Sequence, residues 1–285
     1  MASRDGHRHA GDVAAGRRGG RHAALVREGI GGDGEVTSVT GLAILVAAHR
    51  GGALLWPENS LLAFGNALGL GVDAVETDVH MTSDGEIVVI HDPTLDRTTT
   101  ARGAIAGLTS AEVTAARLKD RAGRTTDERV PTFAQLLDLL APGRAQLLLE
   151  IKIDARGTRY PGIEEKALAL LRARRMAERT LVMAFEPETV RRVRELDPAI
   201  RTVALVWRRQ GVRASVRQAL ALGASAIGYD FRHLDADVVA ATRKAGLVVG
   251  AWTVNEESDI RRVIELGVNV VISDRPDVAL RLVKP

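Results

Sequence analysis

The sequence predicts an α/β protein of the (β/α)8 TIM-barrel class, and three observations carry that prediction. From residue 42 onward, eight short apolar or β-branched runs alternate with longer segments of helical periodicity. Strands separated by helices of about 10–15 residues form βαβ units and a parallel sheet. Several helical segments stop at a glycine just before the next run, as in "ALGLGVDAVE", "ALGASAIGYD" and "ELGVNVVISD", which is how a C-capped helix hands over to a strand. A barrel needs about 250 residues, so the 285-residue chain holds one with a short extension. A doubly wound open sheet is the competing architecture, but no Gly-x-Gly-x-x-Gly follows the first run.

Taken in order, residues 1–39 are rich in Gly, Arg and His and read as a disordered tail. They lack the apolar stretch of about 7–15 residues that a signal peptide needs, and no later run is long enough to span a bilayer. The barrel domain then occupies 40–285. Its predicted strands are Leu42–Ala48, Ala74–Val79, Leu147–Ile153, Thr180–Phe185, Thr202–Val206, Ser225–Tyr229, Leu247–Val254 and Val268–Ile272. Helical segments between them include Ser60–Leu70, Phe133–Leu140, Ile163–Met176, Pro187–Leu196, Val212–Leu222, Ala236–Ala245 and Glu256–Leu266. One interval breaks the rhythm. Residues 81–131 hold a short apolar run, Glu86–Ile90, then a Thr- and Arg-rich stretch and a helix near Ser110–Leu118. This is far longer than a βα loop of about 2–6 residues. It predicts a small subdomain inserted after the second strand, at about 92–130, where it can cover a site.

Composition narrows the function. With 46% hydrophobic and 26% charged residues the chain is an ordinary globular protein, and with 3% aromatics its core must be aliphatic. No cysteine is present, which excludes a disulfide scaffold, a thiolate nucleophile and a thiolate metal site and suits a cytoplasmic protein. The net charge is only +3, with arginines at exposed helical spacings such as Arg191–Arg192–Arg194 rather than on one stripe, so no nucleic-acid partner is expected.

Barrel strands should be almost wholly apolar, since one side meets helices and the other fills the interior. Two runs break that rule with period two. In Ala74–Val79, Glu76 and Asp78 share one face; in Leu147–Ile153, Glu150 and Lys152 share one. Both pairs fall near the C-terminal strand ends, where barrel active sites lie. Buried unpaired carboxylates are costly. The three acids therefore require either an ion-pair network with Lys152 or a cation, and the repetition in two strands favours the cation. An all-oxygen set suits a hard divalent ion, Mg²⁺ or Ca²⁺. His49 closes the first strand and His91 closes the Glu86–Ile90 run. Two such histidines near one acidic cluster can divide proton donation and acceptance at neutral pH.

The run "AHRGG…PENSLLAFGNALGLGVDAVETDVHMTSDGEIVVIHDPTLDRTT", residues 48–99, resembles the N-terminal part of the glycerophosphodiester phosphodiesterases. "VPTFAQLLDLL", "LLLEIKID", "AFEPETVRRV", "VGAWTVNE" and "VISDRPD" extend the resemblance in order through residues 42–285. It implies metal-dependent hydrolysis of a glycerophosphodiester to sn-glycerol 3-phosphate and an alcohol. By resemblance, His49 and His91 are the general acid–base pair, and Glu76, Asp78 and Glu150 ligate the metal. Arg50 and Lys152 contact the phosphate, Trp252 lines the pocket against the glycerol, and Glu58 joins the metal or supports its ligands. Two departures are small. Ala184-Phe185 stands where the family often has Ser-Phe, and Ser273-Asp274 where it often has Thr-Asp; neither is expected to carry the chemistry. A lysophospholipase D-like activity on lipid-bearing diesters is the alternative, with Leu54-Leu55-Trp56 as its one apolar patch. A non-catalytic barrel binding a phosphorylated ligand is the alternative of another class, although all five of His49, Glu76, Asp78, His91 and Glu150 are present.

Overall fold

A computed structural model describes residues 43–206 and 211–284; the tail expected over residues 1–39 lies outside the described residues. Eleven strands are present among them. Eight close a parallel barrel: β1 (Leu45–Ala48), β2 (Ala74–Met81), β6 (Gln146–Ile151), β7 (Thr180–Ala184), β8 (Arg201–Val206), β9 (Ala226–Asp230), β10 (Val248–Trp252) and β11 (Val270–Ser273), with β11 returning to β1. Each predicted run holds one of these strands. The other three, β3 (Ile87–Val89), β4 (Arg117–Lys119) and β5 (Thr125–Arg129), belong to the insertion.

The barrel is closed by helices α1 (Leu61–Leu70), α3 (Phe133–Leu140), α4 (Ile163–Ala173), α5 (Pro187–Leu196), α6 (Val212–Ala221), α7 (Ala236–Lys244), α8 (Glu257–Glu265) and α9 (Pro276–Val283), while α2 (Ser110–Ala115) lies in the insertion. Sequence periodicity missed α9, although Pro276 at its first turn is a good helix start. Several helices end as predicted: Gly71, Gly223 and Gly267 have φ of +81°, +65° and +81°, a conformation that glycine adopts without the Cβ penalty. Just past each of these glycines an Asp, Ser or Asn pins the next strand, Asp73 N–H to Val46 O, Ser225 N–H to Thr202 O and Asn269 N–H to Val249 O. The resulting core is aliphatic, with Val46, Val75, Leu147, Leu149, Val249 and Val271 fully buried.

The insertion is organised around strand β2, which outruns the barrel. Its residues 74–79 pair with β6, and 79–81 turn back on β3 in antiparallel register. The way out is fixed to the same place, with Val89 N–H bonded to Pro131 O at 2.9 Å and a bridge between Val88 and Thr132. Between these anchors Val88, Ile90, Leu95, Ile105, Val113, Leu118 and Val130 form a small core of their own. The helix expected at Ser110–Leu118 stops at Ala115, because Arg117–Lys119 is drawn into a hairpin with β5.

Candidate active site

The C-terminal mouth of the barrel is built first by the turn after β1. His49, Arg50, Gly51 and Gly52 form a tight loop in which Arg50, Gly51 and Gly52 have φ of +51°, +80° and +104°. A Cβ on Gly51 would lie 2.8 Å from Ala63 Cβ, so the loop lies flat on α1 only because that residue is glycine. The next loop is tied to the same helix. Ser60 caps α1, accepting from Ala63 N–H at 3.0 Å and donating to Pro57 O at 2.7 Å, a cap worth about 1 kcal/mol. Those bonds fix Glu58 and Asn59. The Asn59 amide then donates to Asp78 Oδ2 at 3.0 Å and accepts from Thr77 Oγ1 at 2.8 Å.

Strands β2 and β6 supply the charges. Glu76, Asp78 and Glu150 are buried, and one carboxylate oxygen of each lies within 4.8 Å of the others. Lys152 Nζ sits 2.9 Å from Asp78 and 2.6 Å from Glu150, and Arg50 Nε is 3.4 Å from Asp78. Two basic side chains thus face three acids. Glu76 is left with the Arg50 backbone N–H at 3.0 Å and the His49 ring at 3.9 Å. Its electrostatics record the deficit: burial, then Asp78 and Glu150, push the Glu76 carboxyl up to about 7. Burial also opposes ionisation of Asp78, but Lys152 and Arg50 overwhelm it and hold that carboxyl far below the usual range. Burial would pull Lys152 down, yet Asp78 and Glu150 keep it above an ordinary lysine. A buried oxygen cluster short of one positive charge fits a hard divalent cation.

Both histidines are oriented through Nδ1. His49 Nδ1 lies 2.6 Å from Asp274 Oδ1, and Asp274 is held in turn by the Asn255 amide at 2.8 Å. Burial lowers the His49 pKa, but Glu76 and the Asp274 hydrogen bond outweigh it and leave it raised. His91 Nδ1 lies 2.7 Å from Asp92 Oδ1. His80, two positions beyond Asp78 on β2, supports the far side. Its Nε2 is 3.0 Å from the His91 carbonyl, which can only accept, so Nδ1 accepts from the Tyr160 hydroxyl at 2.9 Å. Burial holds His80 down at about 4, neutral at physiological pH.

The opposite wall is apolar. Met183, Phe185, Leu205, Trp252 and Ile272 line the same pocket as His49, Arg50, Glu76, His91, Glu150 and Lys152. Trp252 meets Phe185 edge-on, with centroids 5.5 Å apart and planes at 84°. Its Nε1–H is buried and has no hydrogen-bond partner among the described residues. Every candidate residue named from the sequence is therefore at one mouth. Glu58 stands apart from the acid cluster and grips Arg50 Nη1 at 3.0 Å. Asp274 departs from expectation: the Ser273-Asp274 pair seemed remote from the chemistry, but its carboxylate orients His49.

A family model described as the glycerophosphoryl diester phosphodiesterase family matches residues 49–278. The chain belongs to that family. A glycerophosphodiester phosphodiesterase of Caldanaerobacter subterraneus subsp. tengcongensis is 32% identical over 241 residues, covering 84% of this chain and 98% of its own. A crystal structure of a putative family member from Agrobacterium tumefaciens superposes with a TM-score of 0.79 at 31% identity, covering 85% of this chain and 97% of the other. A phosphodiesterase from Oleispira antarctica, solved with the product sn-glycerol-3-phosphate, shares the fold with a TM-score of 0.73 at 24% identity, covering 85% and 98%. Membership brings the reaction class, cleavage of a glycerophosphodiester, and the chain is an enzyme rather than a non-catalytic barrel. Among the described residues no helix is long and apolar enough to cross a membrane.

Proposed function

We propose that this chain hydrolyses glycerophosphodiesters to sn-glycerol 3-phosphate and an alcohol, using one divalent cation, Mg²⁺ or Ca²⁺, on Glu76, Asp78 and Glu150. The observation that carries the reading is the charge-deficient buried carboxylate cluster, flanked by two carboxylate-oriented histidines. When bound, the cation supplies Lewis-acid polarisation of a phosphoryl oxygen. The chain's own residues do the rest. Arg50 offers a planar fork and Lys152 a compact charge to the phosphate oxygens. With Nδ1 of each ring engaged by a carboxylate, Nε2 of His49 and of His91 is the nitrogen left to exchange a proton. One accepts the proton of the attacking water, or of the glycerol hydroxyl where a cyclic phosphate forms first and water then opens it, and the other protonates the leaving alkoxide, each contributing about 10²–10⁴-fold. Trp252 and Phe185 pack against the glycerol carbons, and the unpartnered indole N–H is available to a substrate oxygen.

The test is release of glycerol 3-phosphate from glycerophosphocholine with and without a chelator. Activity that a chelator abolishes and Mg²⁺ or Ca²⁺ restores supports the reading; activity indifferent to chelation removes the metal from it. A second substrate class has one observation in its favour. Leu54, Leu55, Trp56, Pro57 and Leu62 line a groove facing the hairpin residues 120–128, and Leu55 and Leu62 are 36% and 46% exposed. A lipid-bearing diester would find apolar surface there, and faster turnover of lysophosphatidylcholine than of glycerophosphocholine would favour it.

A further inference from the structure

Arg97 lies in the insertion, outside every set of residues assigned above, and its side chain is 48% exposed. Four of its five N–H donors are nevertheless engaged by two carboxylates. Nε and Nη2 donate to Asp92 at 2.7 and 2.9 Å, and Nη1 and Nη2 donate to Glu58 at 2.8 and 2.9 Å. Glu58 is the carboxylate that grips Arg50, and Asp92 is the one that orients His91. An unbroken row, Arg50–Glu58–Arg97–Asp92–His91, therefore joins a phosphate-binding group on the barrel to a proton-transfer group at the root of the insertion. A planar guanidinium grips each of the two carboxylates through two nitrogens, a bidentate geometry that the single ammonium nitrogen of lysine cannot reproduce.

We infer that Arg97 is a positioning residue that sets the distance between Arg50 and His91, and with it the alignment of the phosphate and the proton-transfer group. The inference rests on the roles proposed for those two residues. Without Arg97, Glu58 and Asp92 lose their common partner and both catalytic groups gain freedom, and misplacement by about 1 Å costs on the order of 10²-fold in rate.

The experiment compares wild type, Arg97→Ala, Arg97→Lys and the control Arg102→Ala, which removes another exposed insertion arginine, on glycerophosphocholine with Mg²⁺. Arg97→Ala should lower kcat about 10²-fold while KM moves little. Arg97→Lys should fail to restore it, added guanidinium ion should recover much of it, and Arg102→Ala should match wild type. Normal turnover in Arg97→Ala, or a loss that guanidinium does not recover and Arg97→Lys does, would overturn the inference. A readout free of turnover separates this from failure of the phosphodiesterase reading itself. In NMR spectra the His91 Nδ1–H should be protected from exchange in wild type and exposed in Arg97→Ala; equal protection in both would count against the clasp even in an inactive enzyme.

Discussion

The two walls of the pocket come from different parts of one barrel and obey different rules. The wall formed by β1, β2 and β6 carries His49, Arg50, Glu76, Asp78, Glu150 and Lys152, and the hairpin leaving β2 adds His91. The wall formed by β7 to β11 and the loops after them contributes Met183, Phe185, Leu205, Trp252 and Ile272. The first is a network in which each charge is fixed by another, so removing one partner strands the rest. The second is a packed surface whose members act nearly independently. On the function proposed above, the chemistry falls to one side of the barrel and recognition of the organic part of the substrate to the other.

The sharpest test of that division is on the charged wall. His49→Ala and His91→Ala should each lose about 10²–10⁴ in kcat, with metal affinity near normal by calorimetry. A variant that kept wild-type turnover would strip that histidine of its role.

Stability without metal is the next test, because it probes the charge deficit directly. The folded pKa of Glu76, about 7, lies above its ordinary value of 4.5. Its contribution is therefore present below about pH 4.5 and lost as pH rises through 7, by up to about 3 kcal/mol at 1.4 kcal/mol per unit. His80, held at about 4, slopes the other way, losing stability as pH falls from 6.5 toward 4. The clean quantity is thus the difference between metal-free wild type and Glu76→Gln in denaturant melts from pH 4.5 to 8. That difference should shift against wild type as pH rises and recover on adding metal; a flat difference would mean that no charge is missing from the cluster.

On the apolar wall the expected effect is smallest. Trp252→Ala should raise KM roughly 10-fold, a pocket contact of about 1–3 kcal/mol, and leave kcat within a few-fold. A collapse of kcat instead would show that the walls are not separable.

How far the sequence disclosed this site follows the same divide. Glu76, Asp78, Glu150 and Lys152 were legible because charges with period two inside apolar strands violate a local rule. The barrel was legible through its alternation, whereas α9 follows the last strand, outside that alternation, and is marked by Pro276 at its first turn. Asp274 was expected to stand outside the chemistry, and Arg97, Asp92 and His80 drew no role, for a physical reason. Asp274 meets His49 across 225 positions of chain and Arg97 meets Glu58 across 39, so their meaning lies in tertiary neighbours rather than in any periodicity. The helix expected to reach Leu118 failed likewise, since its last residues gained more from a strand partner than from another turn.

The anchoring of the insertion has a consequence for how such a chain can be altered. Both ends of the segment are stitched to the short strand β3, one through β2 and one through Pro131 and Thr132. The exposed turn between β4 and β5, residues 121–124, can then lengthen without dragging His91 with it, since each doubling of a flexible loop costs only about 0.6 kcal/mol of closure entropy. Variation at that tip is insulated from the residues proposed to transfer protons, because the packed core of the insertion and its two anchors lie between them.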